Sequence, residues 1–374
     1  MGFQFQSVAS LDSFLIEDLD LSYGQLGTLI GMFMLPGAFL ALPGGFMTRL
    51  VGDKRVSAFG LTIMAVGAVI MGVGGSYSVE LSGRLVAGIG AVLFNVVVVK
   101  MVTDWFADRE IVTALGVVLG SWPAGIALGL LTQNGLAETT SWQAVMFLTA
   151  AMSIVGALLI TMLYRVAPVA EPAQERATQI FSLSAREFWL ATVAGLTWAT
   201  FNMGFTSFFS FAPGALVDRG ISPVEATALV SIGVWITVFS VPLGGFLTER
   251  LGRPYSATVL FSLMSGLALA LFPYVPFALL LTILFGLTIG PPPGAITAMP
   301  SRIASRDNLG PLLGVFFTWL YAGNFIGPVV AGFSRDLTSS AAAPLIVGAF
   351  FFITVPLFVG IFLRFQKVRE QGFA

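Results

Sequence analysis

The sequence predicts an all-α, polytopic membrane protein built as two pseudo-symmetric six-helix bundles. Three observations carry that expectation. Only 10% of the 374 residues are charged while 56% are hydrophobic. Water-soluble chains carry about 25% Asp, Glu, Lys and Arg, so this one has too few charges to cover a globule in water. Apolar stretches long enough to cross a hydrocarbon core of about 30 Å recur along the chain. A short polar phrase, GGFMTRLVGDKR at 44–55, returns two hundred residues later as GGFLTERLGR at 244–253.

The expected spans are 24–47, 56–75, 80–101, 111–131, 142–163, 188–211, 224–247, 256–273, 275–298, 312–334 and 341–364. Ahead of them stands MGFQFQSVASLDSFLI, half apolar. It has neither a basic leading region nor a small-residue cleavage site, so it does not read as a signal peptide. If each span reverses the chain, every Lys and Arg except Arg84, Arg219 and Arg335 falls on the side of the 44–55 loop. Basic residues gather on the cytoplasmic side of membrane proteins. That loop and the C-terminus are therefore expected in the cytoplasm, with Glu17, Asp18 and Asp20 outside, in a multi-pass protein of the inner (cytoplasmic) membrane.

One long polar connection, 165–187, is rich in Pro, Ala and charge. It divides the chain into an N-terminal half at 1–164 and a C-terminal half at 188–374. At an offset of 200 the halves repeat: Ser22 and Gln25 match Ser222 and Glu225, both patterned as capping boxes. Gly44, Gly45, Phe46, Thr48 and Gly52 match Gly244, Gly245, Phe246, Thr248 and Gly252 in the same register. Met1-Gly2-Phe3 lies nearly in register with Met203-Gly204-Phe205, so the first helix is expected to be truncated, beginning inside its span. Tandem halves related by an axis along the membrane normal are a transporter architecture.

These residues also carry a family resemblance. Gly244 to Arg253 resembles the loop signature G-x-L-a-D-R-x-G-R-[RK] of the major facilitator superfamily, and Gly45 to Lys54 is its first copy. Arg84-Leu-Val-Ala-Gly88-Ile-Gly-Ala91 resembles the fourth-helix motif of that family. Gly323, Gly327, Pro328, Ala331 and Gly332 resemble its antiporter-type Gly-Pro motif, here in the eleventh helix, while the fifth holds Ser121-Trp122-Pro123-Ala124-Gly125. The wording at GFQFQSVAS and NVVVVKM is similar to the cyanate- and nitroimidazole-type permease branch. The resemblance covers essentially the whole chain and implies alternating access, with a latch at the repeated loop. It implies latch or gating roles for Gly45, Arg49, Gly52, Asp53, Lys54, Gly245, Glu249, Arg250, Gly252, Arg253 and Pro328. The family has an acid where Arg49 stands; only the second copy keeps the acid–base pair, Glu249 and Arg250, and Asp53 is the substitute in the first.

Arg84 is the only charge expected well inside a span, and an intramembrane charge is costly enough to suggest function. Gly88, Ala91 and Asn95 follow it on one helical face, a stripe that suits a cavity wall. The alternative is an Arg that bonds main-chain carbonyls of a neighbouring helix. Gln4, Gln6, Trp198, Asn202, Tyr321 and Asn324 are further mid-span candidates for binding a solute, each with an alternative role in bridging helices. Pro291, Pro292 and Pro293 must break the tenth helix.

No Asp, Glu or His is expected near mid-membrane; Asp12 comes nearest. Proton coupling would then rest on Asp12 or on a protonated solute, with uniport or exchange as the other options. One buried cation biases the solute toward anionic or neutral. The chain has no His and no Cys, which removes the commonest metal ligands and the commonest general base and disfavours a membrane enzyme. It has no G-x-x-x-x-G-K-[ST] loop for ATP, calls for no cofactor, and has a net charge of −1 that does not suit nucleic acid. The expected partners are a small-molecule solute, the lipid bilayer and protons, for a monomeric secondary transporter. A receptor- or scaffold-like descendant of the same fold and a drug-type efflux antiporter are the alternatives.

Overall fold

The computed structural model describes residues 1–40, 51–106, 110–165, 183–303 and 308–371, with no strand among them. The chain opens with α1 (Gly2–Ser10) and α2 (Asp12–Leu19), one path bent at Leu11, whose φ of −113° and ψ of 20° leave the helical region. Then come α3 (Tyr23–Met32), α4 (Asp53–Val73), α5 (Tyr77–Phe106), α6 (Ile111–Thr139) and α7 (Trp142–Leu163). The C-terminal part holds α8 (Ala185–Val217), α9 (Pro223–Arg250), α10 (Pro254–Leu271), α11 (Ala278–Thr288), α12 (Pro292–Thr297), α13 (Met299–Ile303), α14 (Leu309–Thr338) and α15 (Ala343–Gln371). Among the described residues ten helical paths are long and apolar enough to cross a membrane; α8 adds another 33 residues over the span expected at 188–211.

Local chemistry sets the ends. Ser22 caps α3 with a complete capping box, its hydroxyl on the Gln25 N–H and the Gln25 side chain on its own N–H. Ser184 and Glu187 do the same for α8, so that helix begins three residues before the expected span. At Ser222 only the hydroxyl half forms, and Pro223 takes the first helical position, where no N–H is needed. The prolines at 291–293 separate α11 from α12, as their missing N–H groups require.

Helices run past the apolar stretches that mark them. α5 begins at Tyr77 rather than 80, α6 continues to Thr139 rather than 131, and α14 ends at Thr338 rather than 334. Polar residues expected in connections are thereby carried into helical turns.

Helix pairing follows the small residues. Lipid offers apolar side chains as good an environment as another helix does, so association depends on close fit. α4 lies along α5 and α7, with Gly60 and Gly67 facing Gly90 and Gly83 of α5. α1 packs on α6; α8 packs on α14 and α15; α9 packs on α11. Between the first seven helices and the rest, α3 crosses α14, α6 crosses α9, and α1 touches α8.

A Cβ added at Gly67 would overlap the main chain of Gly83 and Ala87, which cannot swing aside, whereas Gly116 faces open space. Gly67→Ala is expected to destabilise the protein by about 1–3 kcal/mol. Gly116→Ala should stabilise it by up to about 1 kcal/mol. Thermal unfolding in detergent compares the two, and equal effects would contradict the packing argument.

Candidate functional site

Arg84 is fully buried on α5. Its Nε donates to the Leu29 carbonyl of α3 at 3.0 Å, Nη1 to the Gln4 carbonyl at 3.0 Å, and Nη2 to the Phe5 carbonyl at 2.9 Å. The Phe33 ring centroid lies 4.8 Å from the guanidinium carbon. A planar fork with five N–H donors can hold three acceptors from two helices at once, which a Lys ammonium on its flexible stem does less well. The bridging alternative for Arg84 thus has direct contacts, with two N–H groups left over. Gly88, expected to leave room beside it, instead admits α3, since a Cβ there would overlap the Phe33 carbonyl.

Glu80, one helical turn before Arg84, is fully buried as well. Arg84 is therefore not the only ionisable residue within a span. The sequence reading put Glu80 at a span boundary, but α5 starts a turn earlier and carries it inside. Neither Glu80 carboxyl oxygen has a hydrogen-bond partner among the described residues.

The other candidates fall into four groups. Gln4 donates to the Met64 carbonyl of α4 at 3.0 Å and accepts from Ser153 of α7 at 3.4 Å. A cavity of about 340 Å³ opens beside it, with Thr149 and Ser153 as further polar lining. Gln6 turns the other way, donating to the Phe209 carbonyl of α8 at 3.4 Å. Asn95 donates to the Tyr321 hydroxyl at 3.4 Å, joining α5 to α14. On α8, Asn202 folds back on the Trp198 carbonyl at 2.8 Å, Trp198 stacks on Phe201, and Thr206 reaches Asn324 of α14 at 3.4 Å. The cross-helix bonds of Gln6 and Asn95 exceed the usual 2.7–3.2 Å, so they part at little cost.

The two ends of the molecule differ. At one end Asp336, in the last turn of α14, accepts from the Tyr23 N–H at 2.8 Å and the Gly24 N–H at 2.7 Å. These are the opening N–H groups of α3, which have no acceptor within their own helix, and the negative charge also suits the helix dipole. Arg335 beside it bonds Asp218 at the end of α8 at 3.1 Å and lies 3.8 Å from the Tyr23 ring. Neither Arg335 nor Asp336 was a sequence candidate; both read as charges in a connection.

The opposite end holds the implied latch. Gly52 and Gly252 take positive φ of 88° and 66°, which explains glycine at both repeats. Asp53 is bonded to Lys100 of α5 at 2.6 Å, and Lys100 also holds Asp104 at 2.7 Å. Lys54 is half-buried on α4; Glu249, Arg250 and Arg253 are exposed and make no ion pair among the described residues. Gly245 borders open space, and Pro328 lies inside α14 with its carbonyl against Gly27 of α3. Gly45 and Arg49 lie outside the described residues.

Removing the Asp336 cap should cost about 1 kcal/mol, the usual worth of a helix cap, and move the closed-to-open balance of that end about fivefold. Because the chain has no Cys, a Ser210→Cys variant carries a single buried thiol. Its labelling by an impermeant maleimide from the Asp336 side should rise severalfold when Asp336→Ala is added. Unchanged labelling would remove the clasp.

Comparison with known proteins agrees with this architecture. The Major Facilitator Superfamily model matches residues 1–328 and again 199–373. A curated relative, "Probable nitrate transporter NarT" of Staphylococcus epidermidis, is 23% identical over 359 residues, 95% of this chain and 90% of that one. "Hexuronate transporter" of Bacillus subtilis is 24% identical over 381 residues, 94% and 88% of the two chains. In fold the chain is similar to a solved bacterial homologue of the human lysosomal transporter Spinster, inward-facing and unoccupied. The TM-score is 0.73 at 16% identity, covering 99% of this chain and 94% of that one. These relatives are membrane transporters rather than enzymes, and the expected polytopic all-α fold is borne out. With a family match that runs from residue 1 to residue 373, this chain, a secondary transporter of small solutes, belongs to the Major Facilitator Superfamily.

Proposed function

We propose that the protein moves a small anionic or neutral solute across the cytoplasmic membrane by alternating access. Its two rocking halves are 1–164 and 188–374, joined by 165–187, and it works as a monomer. The observation that carries this reading is the unequal closure of the two ends. Asp336 clasps α14 to α3, whereas Glu249 and Arg250 at the other end make no ion pair among the described residues. The distribution of Lys and Arg supports a cytoplasmic position for the Glu249 end and the C-terminus, which would make the Asp336 end the outer one. The long bonds from Gln6 and Asn95 are the contacts that break and re-form in each cycle.

Arg84 supplies a buried positive charge near the start of α1, which favours an anion in a low-dielectric setting. Two of the curated relatives are named for nitrate and for hexuronate, both anions. For coupling to protons the titratable group is Glu80, inside the span and one turn from Arg84, in place of Asp12. The Asp12 carboxylate is held by the Ser13 N–H of its own helix at 2.7 Å.

Reconstituted protein should give saturable flux for at least one anion in a panel that includes nitrate and hexuronates; a helix bundle without transport would give none. Arg84→Met should lower that flux by tenfold or more at normal protein level. Glu80→Gln should abolish the stimulation by a pH gradient while solute exchange persists. Full stimulation in that variant would take Glu80 out of the coupling.

A further inference from the structure

Four of the twelve buried side-chain oxygens that have no hydrogen-bond partner among the described residues lie along one seam. They are Gln6 Oε1 and Ser10 Oγ on α1, and Gln133 Oε1 and Asn134 Oδ1 on α6. The residues are between 0% and 1% exposed. Each amide has its nitrogen engaged on a main-chain carbonyl: Gln6 on Phe209 at 3.4 Å, Gln133 on Phe3 at 2.7 Å, and Asn134 on Ser10 at 3.2 Å. A carbonyl only accepts, so chemistry requires the nitrogen to face it and leaves the amide oxygen turned elsewhere. Ser10 stands one turn beyond Gln6 on the same face of α1. Gln133 Oε1 and Gln6 Cγ lie 3.2 and 3.1 Å from the point where a Cβ on Gly129 would stand, so the two side chains meet over that glycine.

A buried acceptor without a donor costs about 1–3 kcal/mol; three amide oxygens on one seam, beside the Ser10 hydroxyl that can donate or accept, call for a partner rich in donors. The charges nearby narrow its chemistry. Arg84 holds the carbonyls of Gln4 and Phe5, immediately before Gln6, so a cation on these oxygens would face a positive charge. Asp12, two residues past Ser10, is bonded to the Ser13 N–H, and Glu80 lies on the far side of Arg84 along α5. A donor-free anion such as nitrate would find three acceptor-only oxygens and a single hydroxyl donor where it needs donors. A solute with both a carboxylate and several hydroxyls satisfies the charge and the oxygens together.

We propose that Gln6, Ser10, Gln133 and Asn134 read the hydroxyls of a small polyhydroxylated monocarboxylate. They come within its reach when the Gln6–Phe209 bond parts and α1 separates from α8. This rests on the transporter reading above and narrows its solute class to hydroxy acids, excluding small inorganic anions.

The test uses the full chain in lipid nanodiscs with D-glucuronate, D-galacturonate, nitrate and D-galactose as probes. The uronates should raise the unfolding temperature saturably, as ligands stabilise the state they bind, and nitrate should not. Gln133→Met and Ser10→Ala should each weaken uronate binding by about tenfold, the upper range for one lost hydrogen bond. Ser10→Ala changes little else and carries the comparison if Gln133→Met folds poorly. The proposal is overturned if nitrate stabilises as strongly as uronates, if no uronate stabilises because water alone serves these oxygens, or if both variants bind like the parent. Saturable nitrate flux without uronate binding would leave the transporter reading intact and remove this one. Absence of flux for every solute would remove the transporter reading, while uronate binding sensitive to Gln133 would still support the site.

Discussion

In a bilayer a helix gains nothing hydrophobic by leaving lipid for another helix, so the fold depends on close backbone approach and on a few polar bonds that lipid cannot replace. The crossings of α4 with α5 and of α3 with α14 are made where glycine removes the side chain that would hold the backbones apart. Arg84 adds what fit alone cannot. By spreading one guanidinium over carbonyls of α1 and α3 it ties α5 to both, and taking that charge out of lipid-facing positions gives the arrangement its specificity. The helices that carry the solute candidates are placed by these two devices before any solute is considered.

The bonds across the two halves are of a different kind. Those within a half include the three short bonds of Arg84 to main-chain carbonyls. Those between halves are the long contacts of Gln6 and Asn95 and the cap supplied by Asp336. The repeat makes the unevenness explicit. At the offset of 200 that relates residues 22–52 to 222–252, Pro223 stands where Tyr23 stands. α9 therefore lacks the first N–H that α3 offers to Asp336.

The sequence disclosed most of the spans and the turn glycines, because composition and repeat are written directly in residue types. It did not disclose Gln133, Asn134, Glu80, Arg335 or Asp336 as interior or clasping groups. Each lies where the apolar pattern stops but the helix does not: TQNG after Leu131 reads as a turn, yet α6 continues to Thr139. Arg84 was visible as a charge, but its acceptors are main-chain carbonyls, which every residue possesses and no sequence pattern marks. The Asp53–Lys100 pair spans 47 positions and two helices, a proximity that follows from packing alone.

The clasp between α14 and α3 has a further property. One of its partners is a side chain and the other is the peptide backbone of residues 23 and 24. Mutation can erase the acceptor in many ways, since almost any change at position 336 removes the carboxylate. The donors survive nearly every substitution, because all residues but proline bring an N–H. Genetic control over this contact is thus concentrated in a single codon on one helix, and the chain carries in Pro223 a natural example of the one change that would silence the first donor.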